Sequence, residues 1–229
     1  MNVVALETSG RPSSVAVSCG GEILEEVLQE ERAHASDLLP ALERLMEKAG
    51  LAPADIESVF VGIGPGSYTG LRVGLATALG LARGSAAPIY AVPSGETRVY
   101  AECEPGTTGA LLLDARQGEL YFAHYERTPD DVRVLVAPKV TTPSELGALL
   151  PEAAVVLGDE AVAENEAVTG LDARTRENVR VPRQDGGFPR AAALLELGLA
   201  RVASGTLEPT PYPEPLYLRP FAAKPRKRP

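Results

Sequence analysis

The sequence is short of several residue types, and each shortage narrows what the chain can do. It has no tryptophan, two cysteines (Cys19 and Cys103) and two histidines (His34 and His124). Two cysteines cannot build a disulfide framework, so a reduced setting is expected, with both thiols acting as small buried hydrophobes. A helix-borne metal pair starting at His34 would need a second histidine four residues on, where the chain has Leu38. Aromatics are only 5% of residues and scattered, which argues against a base-stacking platform. No apolar run approaches a membrane span. The amino-terminal "MNVVALETSG" lacks a basic region followed by an apolar stretch, so no membrane association and a cytoplasmic location are expected. Cations are the minority: 22 Lys and Arg against 31 Asp and Glu, a net charge of -9. That balance disfavours stand-alone nucleic-acid binding. The one basic cluster, "KPRKRP" from Lys224 to Pro229, reads first as a solvated end.

What is present is a pattern that occurs twice. "NVVALET" (2–8), "SSVAVSC" (13–19) and "EILEEVLQEE" (22–31) read as three strands joined by tight turns. The period then changes to helical: in "SDLLPALERLMEKAG" the residues Leu38, Leu42, Leu45, Met46 and Ala49 share one face. A buried strand is expected over 58–64, a helix from Ser67 or Thr69 to about Gly84, a strand over 88–92 and a helix from Ser94. The second half repeats this order. Two strands flank "DARQGE", a third covers 132–138, and a short helix, a strand over 153–158 and a helix over 189–205 follow. The expected fold is therefore α/β, a duplicated actin-like (ribonuclease H-like) architecture with a reduced second lobe. The expected lobes are 1–104 and 105–229, with a proline-rich tail from about 208. In that architecture the first turn of each lobe points at phosphates. Here those turns hold Thr8, Ser9 and Gly10, and Asp114, Arg116 and Gly118.

The chemistry of "VGIGPGSYTGLRVGLATALGLA" (61–82) can be read in two ways. A phosphate loop of Walker type needs a lysine, and none occurs before Lys48 or between it and Lys139. A dinucleotide fingerprint needs a third glycine where Ser67 or Thr69 stands. Backbone N–H groups at the helix start could still hold an anion. Close approach explains more: Gly70, Gly74 and Thr77 form a small-residue face, and each mid-helix glycine costs about 1 kcal/mol against alanine. That face is either an internal seam or a docking surface. For nucleophilic catalysis, Ser9, Ser67 and Thr69 sit in turns and His34 or His124 is a conceivable base, but no Gly-x-Ser-x-Gly elbow is present. Glu7 or Asp114 could hold Mg²⁺ with a nucleotide.

"ALETSGRPSSVAV", "HASDLLPALERLM", the glycine-rich stretch, "LLLDARQGELYFAHY" and the terminal "PLYLRP" together resemble the TsaB (YeaZ) family. The resemblance is dense over the first hundred residues and patchy beyond. It implies a non-catalytic relative of TsaD, which transfers a threonylcarbamoyl group to the adenosine next to the anticodon of tRNA. The relative's His-x-x-x-His metal pair is broken here at His34 and Leu38. The family pattern further implies a four-helix contact with a TsaD-like partner or a second copy. Carried onto this chain, that contact involves Leu38, Leu42, Leu45 and Met46 on one helix and Gly70, Val73, Gly74 and Thr77 on the next. TsaE-like ATPase and TsaC-like adenylate synthase are implied pathway partners, with tRNA reached indirectly. No cofactor is required on this reading, weak ATP or ADP binding staying open. Two alternatives also stay open: a small-molecule kinase or ATPase, and a peptidase. Gly74→Leu is expected to part the paired helices with modest effect on the monomer.

Overall fold

The computed structural model describes residues 1–28, 37–151, 153–159, 162, 179–180 and 187–218. Its first sheet begins with β1 (Val3–Glu7), β2 (Ser14–Cys19) and β3 (Glu22–Val27), an antiparallel meander in which Ala5 faces Ala16 and Val17 faces Leu24. β4 (Ser58–Gly62) and β5 (Ile89–Val92) add in parallel, giving the order β3-β2-β1-β4-β5. The second sheet repeats that order. β6 (Thr108–Asp114), β7 (Leu120–Arg127) and β8 (Val132–Thr141) form the meander, and β9 (Val155–Gly158) and β10 (Val179–Arg180) add in parallel. The same order in both sheets is the duplicated actin-like arrangement expected from the sequence. β10 is a strand that sequence periodicity did not indicate. The expected continuation of β3 to Glu31 lies outside the described residues.

Two helices cover one face of the first sheet because each carries a single apolar stripe. They are α1 (Leu38–Ala49) and α2 (Tyr68–Ser85). From α1, Leu38, Ala41, Leu42, Leu45 and Met46 pack with Leu75, Ala78 and Ala82 of α2 on Val4, Leu6, Val15, Val17, Val59 and Val61. Ser67 caps α2, its Oγ accepting the Gly70 N–H at 3.2 Å. Asp37 precedes α1 without a side-chain cap. Between the sheets lies α3 (Ser94–Glu102), and α4 (Pro143–Leu149) packs on the far face of the second sheet. No described helix is long and apolar enough to cross a membrane.

The last helix breaks the sequence-based division at 104. α5 (Ala191–Ser204) comes late in the chain but covers the second face of the first sheet. Ala191, Leu194, Leu195 and Leu197 pack on Val3, Ala5, Ala16, Phe60 and Val92. At Gly198 an added Cβ would collide with the Phe60 ring, so helix and strand meet at a distance only glycine permits. The proline-rich tail stays on the same lobe: Thr210 N–H donates to the Ile89 carbonyl and Leu216 N–H to the Ile63 carbonyl, both at 2.8 Å. Helical period and a proline near the start identified α5 correctly. Which sheet it covers depends on a long-range contact that no local pattern encodes.

An ion cluster, largely buried at Glu96 and Arg201 and half-exposed at Asp131, joins these parts. Arg201 of α5 bridges Glu96 of α3 at 2.6 Å and Asp131 of the β7–β8 turn at 2.7 Å. Nearby Arg98, fully buried, bonds the Glu102 carboxylate and the Gly158 carbonyl, both at 2.8 Å. Burial pushes the Glu96 carboxyl above its usual range, and Arg201 opposes that shift. Removing the guanidinium leaves a buried carboxylate unpaired. Arg201→Ala is therefore expected to lose roughly 3 kcal/mol in urea unfolding. Arg201→Met should lose the same charge with less packing lost, so the difference between the two isolates the stem's contribution.

Candidate functional site

The first turn of the chain is pinned by glycines. β1 ends at Glu7, and the chain turns through Thr8, Ser9, Gly10 and Arg11. Across this turn lie Gly62, Gly66, Gly70 and Gly74, spaced four apart from the end of β4 into α2. A Cβ at each would come within contact distance of the Glu7 carboxylate, the Ser9 carbonyl, the Thr8 carbonyl and the Thr8 hydroxyl respectively. The Ser67 N–H donates to the Ser9 carbonyl at 2.7 Å. Thr8 is 3% exposed and Ser9 4%. Close approach to this chain's own turn is therefore what the glycine stretch serves. Glu7 is fully buried, and its Oε1 accepts the Ser9 N–H at 2.8 Å. Burial drives the Glu7 carboxyl above the usual carboxylate range, against the lowering effect of its hydrogen bonds from Ser9 and Ser94.

Next to the turn a cavity of about 890 Å³ opens between the lobes. Four of the six expected turn residues line it: Ser9, Gly10, Asp114 and Arg116. Thr8 and Gly118 do not. The topology thus brings the two turns to one cleft, as the duplicated architecture requires. The Asp114 carboxylate is taken by its own turn, accepting the Arg116 N–H at 2.9 Å and pairing with the Arg116 guanidinium at 3.2 Å. Asp159 holds the turn from behind, accepting the Asp114 N–H at 2.9 Å. Tyr121 also lines the cleft, its hydroxyl pushed up by burial and by Asp114. Sequence reasoning missed Ser94, Arg98, Tyr121 and Asp159 as lining residues. The faint signal for the last was "LGDE" (157–160), and for the others there was none.

Of the conceivable catalytic groups, Ser9, Ser67 and Thr69 line the cavity, whereas Glu7 and His124 do not. Glu7 lies behind the turn, outside the cavity lining, so it is not placed to hold Mg²⁺ there. Ser67 uses its Oγ as the α2 cap. His124 lies opposite Ala110, on the face of β7 turned away from Tyr121 and the cleft. Burial lowers its pKa, and its Nε2 has no partner among the described residues. His34 lies outside the described residues.

Most of the residues expected at the docking contact are buried. Leu38, Leu42, Leu45 and Met46 point into the core of their own lobe. Burying one such side chain is worth roughly 2 kcal/mol, and the first sheet lies directly beneath to claim it. Gly70 and Gly74 face Thr8 rather than solvent. Val73 and Thr77 are half-buried, Val73 against the same core. The outward face is composed differently. On α1 it shows Leu39, 54% exposed, with Pro40, Glu43, Arg44, Glu47 and Lys48. On α2 it shows Thr69, Arg72, Ala76, Gly80 and Arg83, and a Cβ at Gly80 would meet open space.

A family model for TsaD, tRNA N6-adenosine threonylcarbamoyltransferase, matches residues 22–180. The chain is 28% identical over 228 residues to the tRNA threonylcarbamoyladenosine biosynthesis protein TsaB of Escherichia coli (strain K12), across 96% of this chain and 95% of that one. TsaB of Haemophilus influenzae is 31% identical over 129 residues, 56% of this chain and 55% of that one. Among solved structures, YeaZ from Pseudomonas aeruginosa matches with a TM-score of 0.75 at 26% identity, covering 95% of this chain and 99% of that one.

Two measurements test the pinned turn. Gly74→Leu drives a side chain into Thr8 and is expected to lose about 3 kcal/mol of monomer stability, with a matching drop in melting temperature. For Glu7, the folded-state pKa lies above the 4.5 of the free carboxyl, so the fold favours its protonated form. That contribution is present below pH 4.5 and is lost as pH rises through the folded-state pKa. Glu7→Gln removes this dependence, so its urea midpoint should gain on the parent's as pH rises above 4.5.

Proposed function

Since the chain belongs to the TsaD family, on its TsaB (YeaZ) branch within tRNA threonylcarbamoyladenosine biosynthesis, we propose that it serves there as a non-catalytic subunit. It binds a catalytic TsaD-like relative and holds that relative in its competent state by binding it better than the idle one. The observation that carries this reading is the burial of the Glu7 and Thr8 side chains at the first turn. Thr8 and Ser9 are packed beneath α2, and the Glu7 carboxylate is packed against Gly62. A stand-alone kinase or ATPase would need that turn open to phosphates.

The docking surface is the solvent face of α1 and α2. Leu39 on α1 and the small residues Ala76 and Gly80 on α2 let a partner helix approach closely. The same face can pair two copies of this chain when the relative is absent. TsaC-like and TsaE-like proteins act in the same pathway, tRNA is delivered mainly on the catalytic relative, and the assembly is cytoplasmic. The cleft, with Ser9, Gly10, Arg11 and Arg116 on its walls, favours weak ATP or ADP binding as a secondary property.

Mixing the chain with its TsaD-like relative, the adenylate supply and tRNA should give modification that neither protein gives alone. Modification by the relative at full rate without this chain would refute the reading. Gly80→Leu should weaken co-elution with the relative by tenfold or more, a loss of about 1.4 kcal/mol, while shifting the chain's own melting temperature little. Gly74→Leu should do the reverse to the fold, so the pair separates docking from folding.

A further inference from the structure

The two lobes exchange helices. α3 follows β5 in the chain but packs on the second sheet, where Val99 and Cys103 meet Leu111, Ala123, Tyr125, Val132 and Leu157. Glycines allow that approach. A Cβ at Gly95 of α3 would crowd the Tyr125 hydroxyl and a Leu111 methyl, and one at Gly109 of β6 would crowd Val99 and Cys103. Arg127 ties α3 to the same lobe, its Nε donating to the Tyr100 carbonyl at 3.1 Å. α5 does the opposite: it comes from the second half of the chain and covers the first sheet. The apolar cores under these two helices are separate clusters, and Tyr100 of α3 packs against both. Where the chain enters α3, the first lobe is held by a joint. The Ser94 N–H donates to the Gly64 carbonyl at 2.9 Å, and the Ser94 Oγ accepts the Gly64 N–H at 3.0 Å. Ser94, Gly95 and Arg98 line the cleft, so this joint lies at its floor.

The crossing from α5 to the other lobe runs through one side chain. Among the described residues, every hydrogen bond and ion pair that α5 makes with α3 or the β7–β8 turn leaves from Arg201. Its guanidinium pairs with Glu96 at 2.6 Å and Asp131 at 2.7 Å, and donates to the Val132 carbonyl at 3.2 Å. The receiving turn is stiff. The Thr128 hydroxyl donates to the Asp131 carbonyl at 2.9 Å, and Arg127 donates to the Pro129 carbonyl at 3.0 Å. The other end of α5 stands at the cleft. Phe188 and Pro189 line the cleft just before the helix, and the Ala191 N–H is fixed on the Ser14 Oγ at 2.8 Å. Arg201 lies ten residues on, about 15 Å along the helix. One rod thus carries part of a cleft wall at its start and the contact with the second lobe near its end. The partners of Arg201 differ in exposure: the Glu96 side chain is 11% exposed and that of Asp131 42%. Water competes for Asp131 far more than for Glu96, so Asp131 parts at lower cost. Glu96 is also only two residues from Ser94, close to the joint, where a rotation displaces it least.

We propose that Arg201 is a latch between the lobes that fixes the width of the cleft, with Asp131 as its release point. With the latch closed, α5 grips the β7–β8 turn and the lobes move as one body. With Asp131 released, Arg201 stays paired with Glu96 beside the joint, and α3 with the second sheet turns about the Ser94–Gly64 contact. The cleft then opens and closes without any core cluster being broken.

The test is pulsed electron paramagnetic resonance on the full-length chain with one nitroxide label per lobe. The labels sit at Glu22→Cys on β3 and Ala148→Cys on α4, both exposed positions, and Cys19→Ser removes the half-buried native thiol, Cys103 being buried. One narrow distance distribution is expected for the latched chain. Asp131→Ala leaves the Arg201–Glu96 pair in place, so the fold is kept, and should widen the distribution roughly twofold, as for a hinge that samples several openings. Arg201→Met should widen it at least as much, and thermal melts show which variants are folded. Arg133→Ala removes a surface pair with Glu126 inside the second lobe and should leave the width unchanged. The proposal is overturned if folded Asp131→Ala keeps the parent's distribution, or if the parent is already as broad as the variant. It is equally overturned if Arg133→Ala widens the distribution as much as Asp131→Ala, which would report general loosening in place of a latch. No partner or ligand enters the measurement, so failure of the subunit reading would leave its result unaffected.

Discussion

The fold depends on one close contact: α2 lying against the turn that follows β1, at a separation that excludes side chains from four successive positions. Gly62, Gly66, Gly70 and Gly74 each face an atom of Glu7, Thr8 or Ser9. Three of these faced groups are backbone carbonyls or a buried hydroxyl, and the fourth is a buried carboxylate. The Ser67 N–H closes the contact on the Ser9 carbonyl. Mid-helix glycine is intrinsically unfavourable, so two of them in one helix mean that proximity outweighs propensity. The same contact places the start of α2 at the cleft wall and turns the opposite side of the helix, with Ala76 and Gly80, to solvent.

That contact also sets what the first turn can reach. An actin-like lobe that used its first turn on phosphates would leave the turn's hydroxyls accessible. Here Thr8 is packed on Gly74, while Ser9, Gly10 and Arg11 line the cavity. The second turn is likewise engaged with itself through Asp114 and Arg116. Both turns are thus held rigidly by their own neighbours. The ion cluster of Glu96, Arg201 and the half-exposed Asp131 extends that rigidity across the lobe junction.

The strand and helix order of this chain was legible because each element carries a clean period. β1, β2 and β4 each centre on a buried apolar run, and the α1 stripe recurs at helical spacing. The convergence of both turns on one cleft was legible from the duplication. Which surface buries the α1 stripe was not. Leu38, Leu42, Leu45 and Met46 mark a buried face equally well whether the burying surface is the chain's own sheet or another protein. In the small-residue face of α2, Gly74 and Gly80 look alike in sequence, and only the position of Thr8 tells them apart. The contact of Tyr68 with Tyr217 was illegible for a similar reason: the two lie far apart along the chain, and the proline-rich tail that unites them has no periodic signal. Long-range placement of α5 on Phe60 was hidden in the same way.

That placement has a consequence for how the chain is made. During synthesis the first sheet emerges with Val3, Ala5, Ala16, Phe60 and Val92 lined up on a bare face, and the helix that shields them is encoded roughly a hundred residues after the last of them. Until the ribosome releases α5, a nascent lobe displays sticky strands to the crowded interior of the cell. Closing so large a loop is entropically costly but grows only slowly with its length. The two lobes therefore complete each other as one cooperative unit, and a chain cut short before Ala191 would be a natural client for chaperones rather than a smaller working protein.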